Sequence, residues 1–154
     1  MTDIHTAEIR RKCMSSIPSK NTGPEKFLRS ALHRAGLRFR LHDKSLPSSP
    51  DIVLRKYRAV IFVHGCYWHS HGCYKSTIPA TRREFWLNKF KTNRERDQRD
   101  VKLLLDSDWR VLIVWECALK GKTSMPIEKI ASAVDAWLHS SETYREIPQI
   151  RSGF

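Results

Sequence analysis

The chain has 154 residues and a mass of 18.0 kDa, enough for one domain that hides roughly two thirds of its unfolded surface from water without the help of disulfides. Lys and Arg total 28 against 16 Asp and Glu, a formal net charge of +12; so large an excess in a small domain repels itself unless a polyanion compensates it, which points to nucleic acid. The longest apolar runs, Ala59 to Val63 and Val111 to Trp115, are too short to span a bilayer, and "MTDIHTAEIRRK" lacks the apolar core of a signal peptide, so a cytoplasmic protein with no membrane partner is expected.

Taken in chain order, residues 1–20 are expected to form an N-terminal helical arm, 21–139 the core and 140–154 a loosely held tail, all within a single domain. From Pro24, a favoured first-turn residue, Phe27, Leu28, Ala31, Leu32 and Ala35 recur at helical spacing up to Gly36, a C-terminal cap. "LRFRL" (37–41) alternates like a half-buried strand, and "SLPSSP" (45–50) reads as loop. "DIVL" (51–54) and "RAVIFVH" (58–64) are expected strands on either side of a turn at Lys56 and Tyr57, the second apolar enough to be central. Thr81 followed by Glu84 is a capping-box pattern that predicts the start of a polar helix carrying Phe85, Trp86 and Phe90; the charged run "KTNRERDQRD" (91–100) reads as its solvated face. "WRVLIVW" (109–115) is a third buried strand, and Ile127, Ile130, Ala131, Val134 and Leu138 make a closing helix. That order of elements predicts an α/β fold, a mixed central β-sheet flanked by helices.

The densest chemistry lies in "VHGCYWHSHGC" (63–73), which holds His64, Cys66, His69, His71 and Cys73, with Cys117 directly after the last buried strand. The chain has four cysteines, the fourth being Cys13, and in a reducing compartment thiolates bind metal or stay free more often than they pair. Cys66, Cys73 and Cys117 with one histidine would make a structural zinc site that staples two strand ends; spacing does not say which histidine. Histidines left over at a strand end can move protons near neutral pH. Asp51, after a proline at a strand start, offers a hard oxygen ligand for Mg²⁺. The neighbouring strand supplies Val63 and His64 where many nucleases have an acid and a lysine, so Val63 can contribute only its backbone carbonyl.

"PDIVL", "VIFVHGCYWHSHGCY", "PATRREFWLNKFKTNRERDQRD" and "WRVLIVWECAL" together resemble the very-short-patch repair endonucleases, bacterial enzymes that nick DNA beside a T:G mismatch, over roughly Glu8 to Leu138. The resemblance implies a variant of the PD-(D/E)XK nuclease fold with an added structural zinc. It implies Asp51 as the Mg²⁺ ligand with the Val63 carbonyl beside it, His69 as the general base, and Glu25 and His64 completing the active site, His64 assisting the leaving oxygen. Asp97 matches an acidic position that orients one of these histidines. The zinc ligands become Cys66, His71, Cys73 and Cys117, and Tyr67, Trp68 and Trp86 an aromatic wedge entering DNA at the mismatch, although helical spacing alone makes Trp86 a core residue. The expected partner is double-stranded DNA with a T:G mismatch, bound by a monomer, with repair-pathway proteins as further partners. Rival readings are a nicking or restriction enzyme for fully paired DNA, and a zinc-stabilised DNA-binding module without catalysis.

Overall fold

A computed structural model describes residues 21–67, 69, 71, 73 and 78–148; the expected arm at 1–20 and the proposed wedge residue Trp68 lie outside them. Helix α1 spans Gly23–Arg34, with the Thr22 hydroxyl accepting from the Glu25 N–H at 3.3 Å and Pro24 in the first turn. It ends where Gly36 takes a φ of +95°, a conformation that an L side chain resists. Leu28, Ala31 and Leu32 face the core as expected, whereas Phe27, at the flank of that stripe, is 45% exposed.

The alternation in "LRFRL" yields only a two-residue edge strand, β1 (Arg40–Leu41); Leu37 is buried as a core anchor ahead of it. Strand β2 (Ile52–Leu54) is fully buried, and a 3-10 turn at Arg55–Tyr57 leads through Arg58, in left-handed conformation, into β3 (Ala59–His64). Helix α2 (Arg83–Asp106) is 24 residues long. The expected capping box does not form: Arg82 occupies the N-cap with a φ of 57° and no side-chain cap bond, and its guanidinium lies over the Phe85 ring at 4.4 Å. The charged run is helical, and within it Asn93 and Asp100 are buried on the stripe that carries Trp86, Phe90 and Leu104.

After α2 come β4 (Arg110–Trp115), a single turn α3 (Glu116–Leu119), helix α4 (Ile127–Leu138) and β5 (Tyr144–Ile147). The sheet order is β1-β2-β3-β4-β5, antiparallel through β3 and parallel from β3 to β5, a mixed sheet as expected. The tail read as loose supplies the last of these strands. Alternate residues of β3 serve opposite faces: Ala59 and Ile61 join α1 and α4 in one core layer, Val60 and Phe62 join Leu104 of α2 in the other. A parallel β3–β4 pair requires a crossover, and α2 is that crossover. Among the described residues no helix is long and apolar enough to cross a membrane.

Arg110 closes the far end of the fold. Its guanidinium donates to the carbonyls of Leu138 at 2.8 Å, Trp137 at 2.5 Å, Ser140 at 3.0 Å and Glu142 at 3.1 Å, and it stacks 4.6 Å from the Trp137 ring. Two of these carbonyls belong to the last turn of α4 and two to the segment that leads into β5, so one side chain ties the helix end to that connection. Arg110→Met, which keeps the stem and removes the donors, is expected to lower stability by about 2–4 kcal/mol. Urea unfolding would measure it, and a loss within error of zero would show that water satisfies those carbonyls.

Candidate active site

The register of β3 and β4 sets His64 opposite Trp115 at the ends of both strands. Because the strands run parallel, the segments leaving them emerge on the same side, bringing Cys66 and Cys117 together although 51 residues separate them. Cys66, His71, Cys73 and Cys117 gather so that their donor atoms lie within 4.8 Å of one another. The Cys117 N–H donates to the Cys66 sulfur at 3.4 Å, and His71 Nδ1 is 3.6 Å from Cys66 Sγ and 3.5 Å from Cys117 Sγ. The three cysteines are not joined by disulfides. Burial raises the Cys66 thiol pKa and lowers that of His71, which favours the neutral form of both. The set can hold a metal ion.

A second group lies where β2 begins. The Asp51 carboxylate accepts from the Val63 N–H at 2.7 Å, tying it to β3. Glu25, in the first turn of α1 and 2% exposed, accepts from the Asn21 N–H at 2.9 Å and contacts His42 Nε2 at 2.5 Å. Glu25, His42 and Asp51 place one donor atom each within 4.8 Å of the others. Burial, with the Glu25 charge beside it, raises the Asp51 pKa from 3.8 to about 6, against the lowering effects of the Val63 bond and of His42 and His69.

His69 is near enough to Asp51 for its charge to act on that carboxylate. Its Nδ1 lies 2.5 Å from Asp97 Oδ2, so α2 supplies the carboxylate that orients it, and its ring stacks on His64 at 3.9 Å with planes 4° apart. Burial lowers the His64 pKa to about 3, and its Nδ1 has no hydrogen-bond partner among the described residues, so His64 is a neutral imidazole at ordinary pH. The His71 ring stacks on Trp115 at 4.1 Å, while His64 and His69 meet the same indole edge-on at 5.4 and 6.3 Å. One tryptophan therefore spaces the cysteine cluster from the histidine pair.

A cleft of about 410 Å³ opens beside His64, His69 and Asp97 and runs along α2 past Arg94 and Lys102. Asp51, Glu25 and His42 are not part of its lining, so the cleft meets the reactive groups on the histidine side. Tyr67 is half-buried, with its ring 5.2 Å from Phe90 and 6.0 Å from Trp86. Trp86 is 3% exposed among Tyr67, Phe85 and Phe90, the position helical spacing favours, and reaching DNA would require it to leave that packing.

Residues 2–75 match the family model described as DNA mismatch endonuclease Vsr. The chain is 49% identical over 138 residues to the DNA mismatch endonuclease Vsr of Escherichia coli K12, covering 90% of this chain and 88% of that protein. It is 51% identical to a type II nicking enzyme of Xanthomonas oryzae pv. oryzae, over 77% of this chain and 88% of the relative, and 45% identical to one of Neisseria meningitidis serogroup A, over 79% and 87%. The chain belongs to the Vsr family of DNA mismatch endonucleases.

As a Vsr-family member it is a DNA endonuclease, and the residues singled out in its sequence fall into two neighbouring groups. Asp51, Val63, Glu25, His64, His69 and Asp97 are brought together around the β3 end, and Cys66, His71, Cys73 and Cys117 beside them. Sequence reasoning missed His42 and Trp115. A lone histidine before "DKSLPSSP" carries no motif, and Trp115 was read only as an apolar strand residue; the register with His64 was its one available signal.

The raised Asp51 pKa is also a statement about stability. The folded protein holds this proton more tightly than the unfolded chain, so Asp51 contributes most below about pH 4, and that contribution is lost as pH rises through about 6. Asp51→Asn, which keeps the shape and the Val63 bond, is expected to raise the stability of the metal-free protein at pH 7 by up to about 3 kcal/mol. Thermal or urea unfolding across pH 3.5 to 7.5 checks this, with the two proteins converging at the acid end.

Proposed function

We propose that this endonuclease nicks one strand of duplex DNA beside a T:G mismatch, using Mg²⁺ held by Asp51 and the Val63 carbonyl, with Zn²⁺ in the cysteine cluster, on a PD-(D/E)XK-like framework. The observation that carries it is the oriented His69–Asp97 pair next to a buried carboxylate that is bound to the adjacent strand. Asp51 and Glu25 fit a hard cation: Glu25 is buried and Asp51 half-buried, and the charge of Glu25 raises the pKa of Asp51, a repulsion that a divalent ion relieves.

When bound, Mg²⁺ would supply Lewis-acid charge to the scissile phosphate. His69 takes the proton of the attacking water: with Nδ1–H donated to Asp97, its Nε2 carries the free lone pair. His64, kept neutral by burial, holds the His69 ring by stacking, and His64 or a water molecule would assist the leaving oxygen. Arg94 and Lys102 in the cleft offer charge to the DNA backbone. Tyr67 and Trp68 enter the weakly stacked mismatch, with Trp86 and Phe90 as the packed base behind Tyr67.

For the cysteine cluster, zinc is supported by distance. Tetrahedral bonds of about 2.3 Å to sulfur and about 2.0 Å to nitrogen put those donors roughly 3.6 Å apart, and the two sulfur–nitrogen separations here are 3.6 and 3.5 Å. The ion would fix the loop that carries His69 and Tyr67 to the end of β4. Metal analysis of Cys117→Ser should find the zinc lost and the protein less stable; a full equivalent of zinc in that variant removes the staple from the proposal.

Nicking of matched duplexes, T:G against T:A in one sequence context, tests the activity. Wild type should cut the T:G duplex in Mg²⁺, with His69→Ala slower by about 10²–10⁴-fold and Asp97→Asn slower by about 10–100-fold. Equal cutting of the T:A duplex would instead support an enzyme for fully paired sites, and tight binding without cutting would support a DNA-binding module.

A further inference from the structure

We propose that His42 is a ligand of the cleavage-site cation, joining Glu25 and Asp51 in a site of one imidazole and two carboxylates that prefers Mn²⁺ to Mg²⁺. The inference rests on the reading of Asp51 as a metal-holding residue. His42 follows β1 with a φ of 49°, and its N–H donates to the Asp51 carbonyl at 3.3 Å. That left-handed turn is uncommon for a residue with a Cβ, and here it accompanies an inward imidazole whose side chain is 15% exposed. Nε2 arrives 2.5 Å from Glu25 Oε1, and the Asp51 donor completes a set within 4.8 Å.

Neighbouring ligands on an octahedral ion with bonds of about 2.1 Å stand roughly 3.0 Å apart, and opposite ligands roughly 4.2 Å. Glu25 Oε1 and His42 Nε2, at 2.5 Å, are closer than neighbouring ligands, and the Asp51 donor lies within 4.8 Å of both, so the three can share one ion once the close pair parts by about half an ångström. Glu25 Oε2 is engaged by the Asn21 N–H at 2.9 Å, while Oε1, the atom facing His42, has besides it the longer 3.5 Å contact of the Arg29 guanidinium, so Oε1 is the one to bind. A simple Glu25–His42 ion pair would account for two members of the group and leave the second carboxylate, Asp51, with the Val63 N–H at 2.7 Å in place of an ion-pair partner. A cation shared by all three answers both charges.

The nitrogen donor sets the preference. Mg²⁺ favours oxygen ligands and gives up water reluctantly, whereas first-row transition ions bind imidazole well. His69 is a separate nitrogen, grouped with His64 and Asp97 and committed at Nδ1 to Asp97.

The test uses the full chain with one equivalent of Zn²⁺ present. Calorimetric titration should show Mn²⁺ bound at least about tenfold more tightly than Mg²⁺, with His42→Gln losing about tenfold or more of the Mn²⁺ affinity and little of the Mg²⁺ affinity. Pulsed electron paramagnetic resonance of bound Mn²⁺ should show imidazole nitrogen coupling that persists in His69→Gln and disappears in His42→Gln. Coupling lost only in His69→Gln, unchanged Mn²⁺ affinity in His42→Gln, or no Mn²⁺ preference in wild type would each overturn the assignment. His42→Asn repeats the measurement if circular dichroism shows the glutamine variant unfolded. Mg²⁺-dependent nicking of the T:G duplex by wild type separates the two readings. Nicking without His42 coupling removes only the ligand, while His42 coupling without nicking removes the proposed activity and leaves the ligand in place.

Discussion

The parallel pairing of β3 with β4, from Ala59 opposite Arg110 to His64 opposite Trp115, is what every part of the site depends on. Two parallel strands end at the same edge of the sheet, so the chain leaving β3 into Cys66 meets the chain leaving β4 into Cys117. The same pairing forces a crossover, and the crossover is α2. Its length returns Asp97 to His69 and sets Trp86 and Phe90 against Tyr67. An antiparallel pair joined by a hairpin would deliver none of these side chains to the His64 end.

Around that edge the protein tolerates groups that oppose folding. Asp51 is a half-buried carboxylate near a second one, and burial together with that neighbour raises its pKa to about 6. His64 is buried neutral, with a nitrogen that has no hydrogen-bond partner among the described residues. Perturbed groups gathered at one place mark a functional site with more force than any single residue type does. The large net positive charge acts at longer range, and Arg94 and Lys102 bring part of it to the cleft beside the histidines.

What could be read from the sequence follows from where the signal resides. The helix at Gly23–Arg34, the strands at Ala59–His64 and Arg110–Trp115 and the helix at Ile127–Leu138 announce themselves because burial imposes a period on apolar side chains. β5 announces nothing: in "YREI" only Ile147 is buried, and the strand is held to β4 by backbone pairing, which leaves little trace in side-chain type. Thr81 and Glu84 made a correct local pattern that tertiary context overrode, since the left-handed Arg82 stacks on Phe85 and starts the helix itself. The cysteines were legible from their crowding, but His71 was separated from its neighbours only by family resemblance. His42 was illegible because its partner Glu25 is 17 residues away and no spacing rule connects a loop histidine to a helix N-terminus.

The least legible strand nevertheless bears on the most crowded stretch of the chain. Trp115 carries His71 on one face and meets His64 and His69 with its edge, so its orientation fixes the distance between the cysteine cluster and the histidine pair. The indole N–H donates to Glu146 at 3.3 Å, a residue of β5. β5 is in turn aligned by its parallel pairing with β4, and the connection into it is pinned by Arg110 at the opposite end of the same strand. Five metal-type side chains can share eleven residues without collapsing onto one ion because a packed, hydrogen-bonded ring divides them, and the polar strand at the end of the described chain supplies the hydrogen bond that holds the ring.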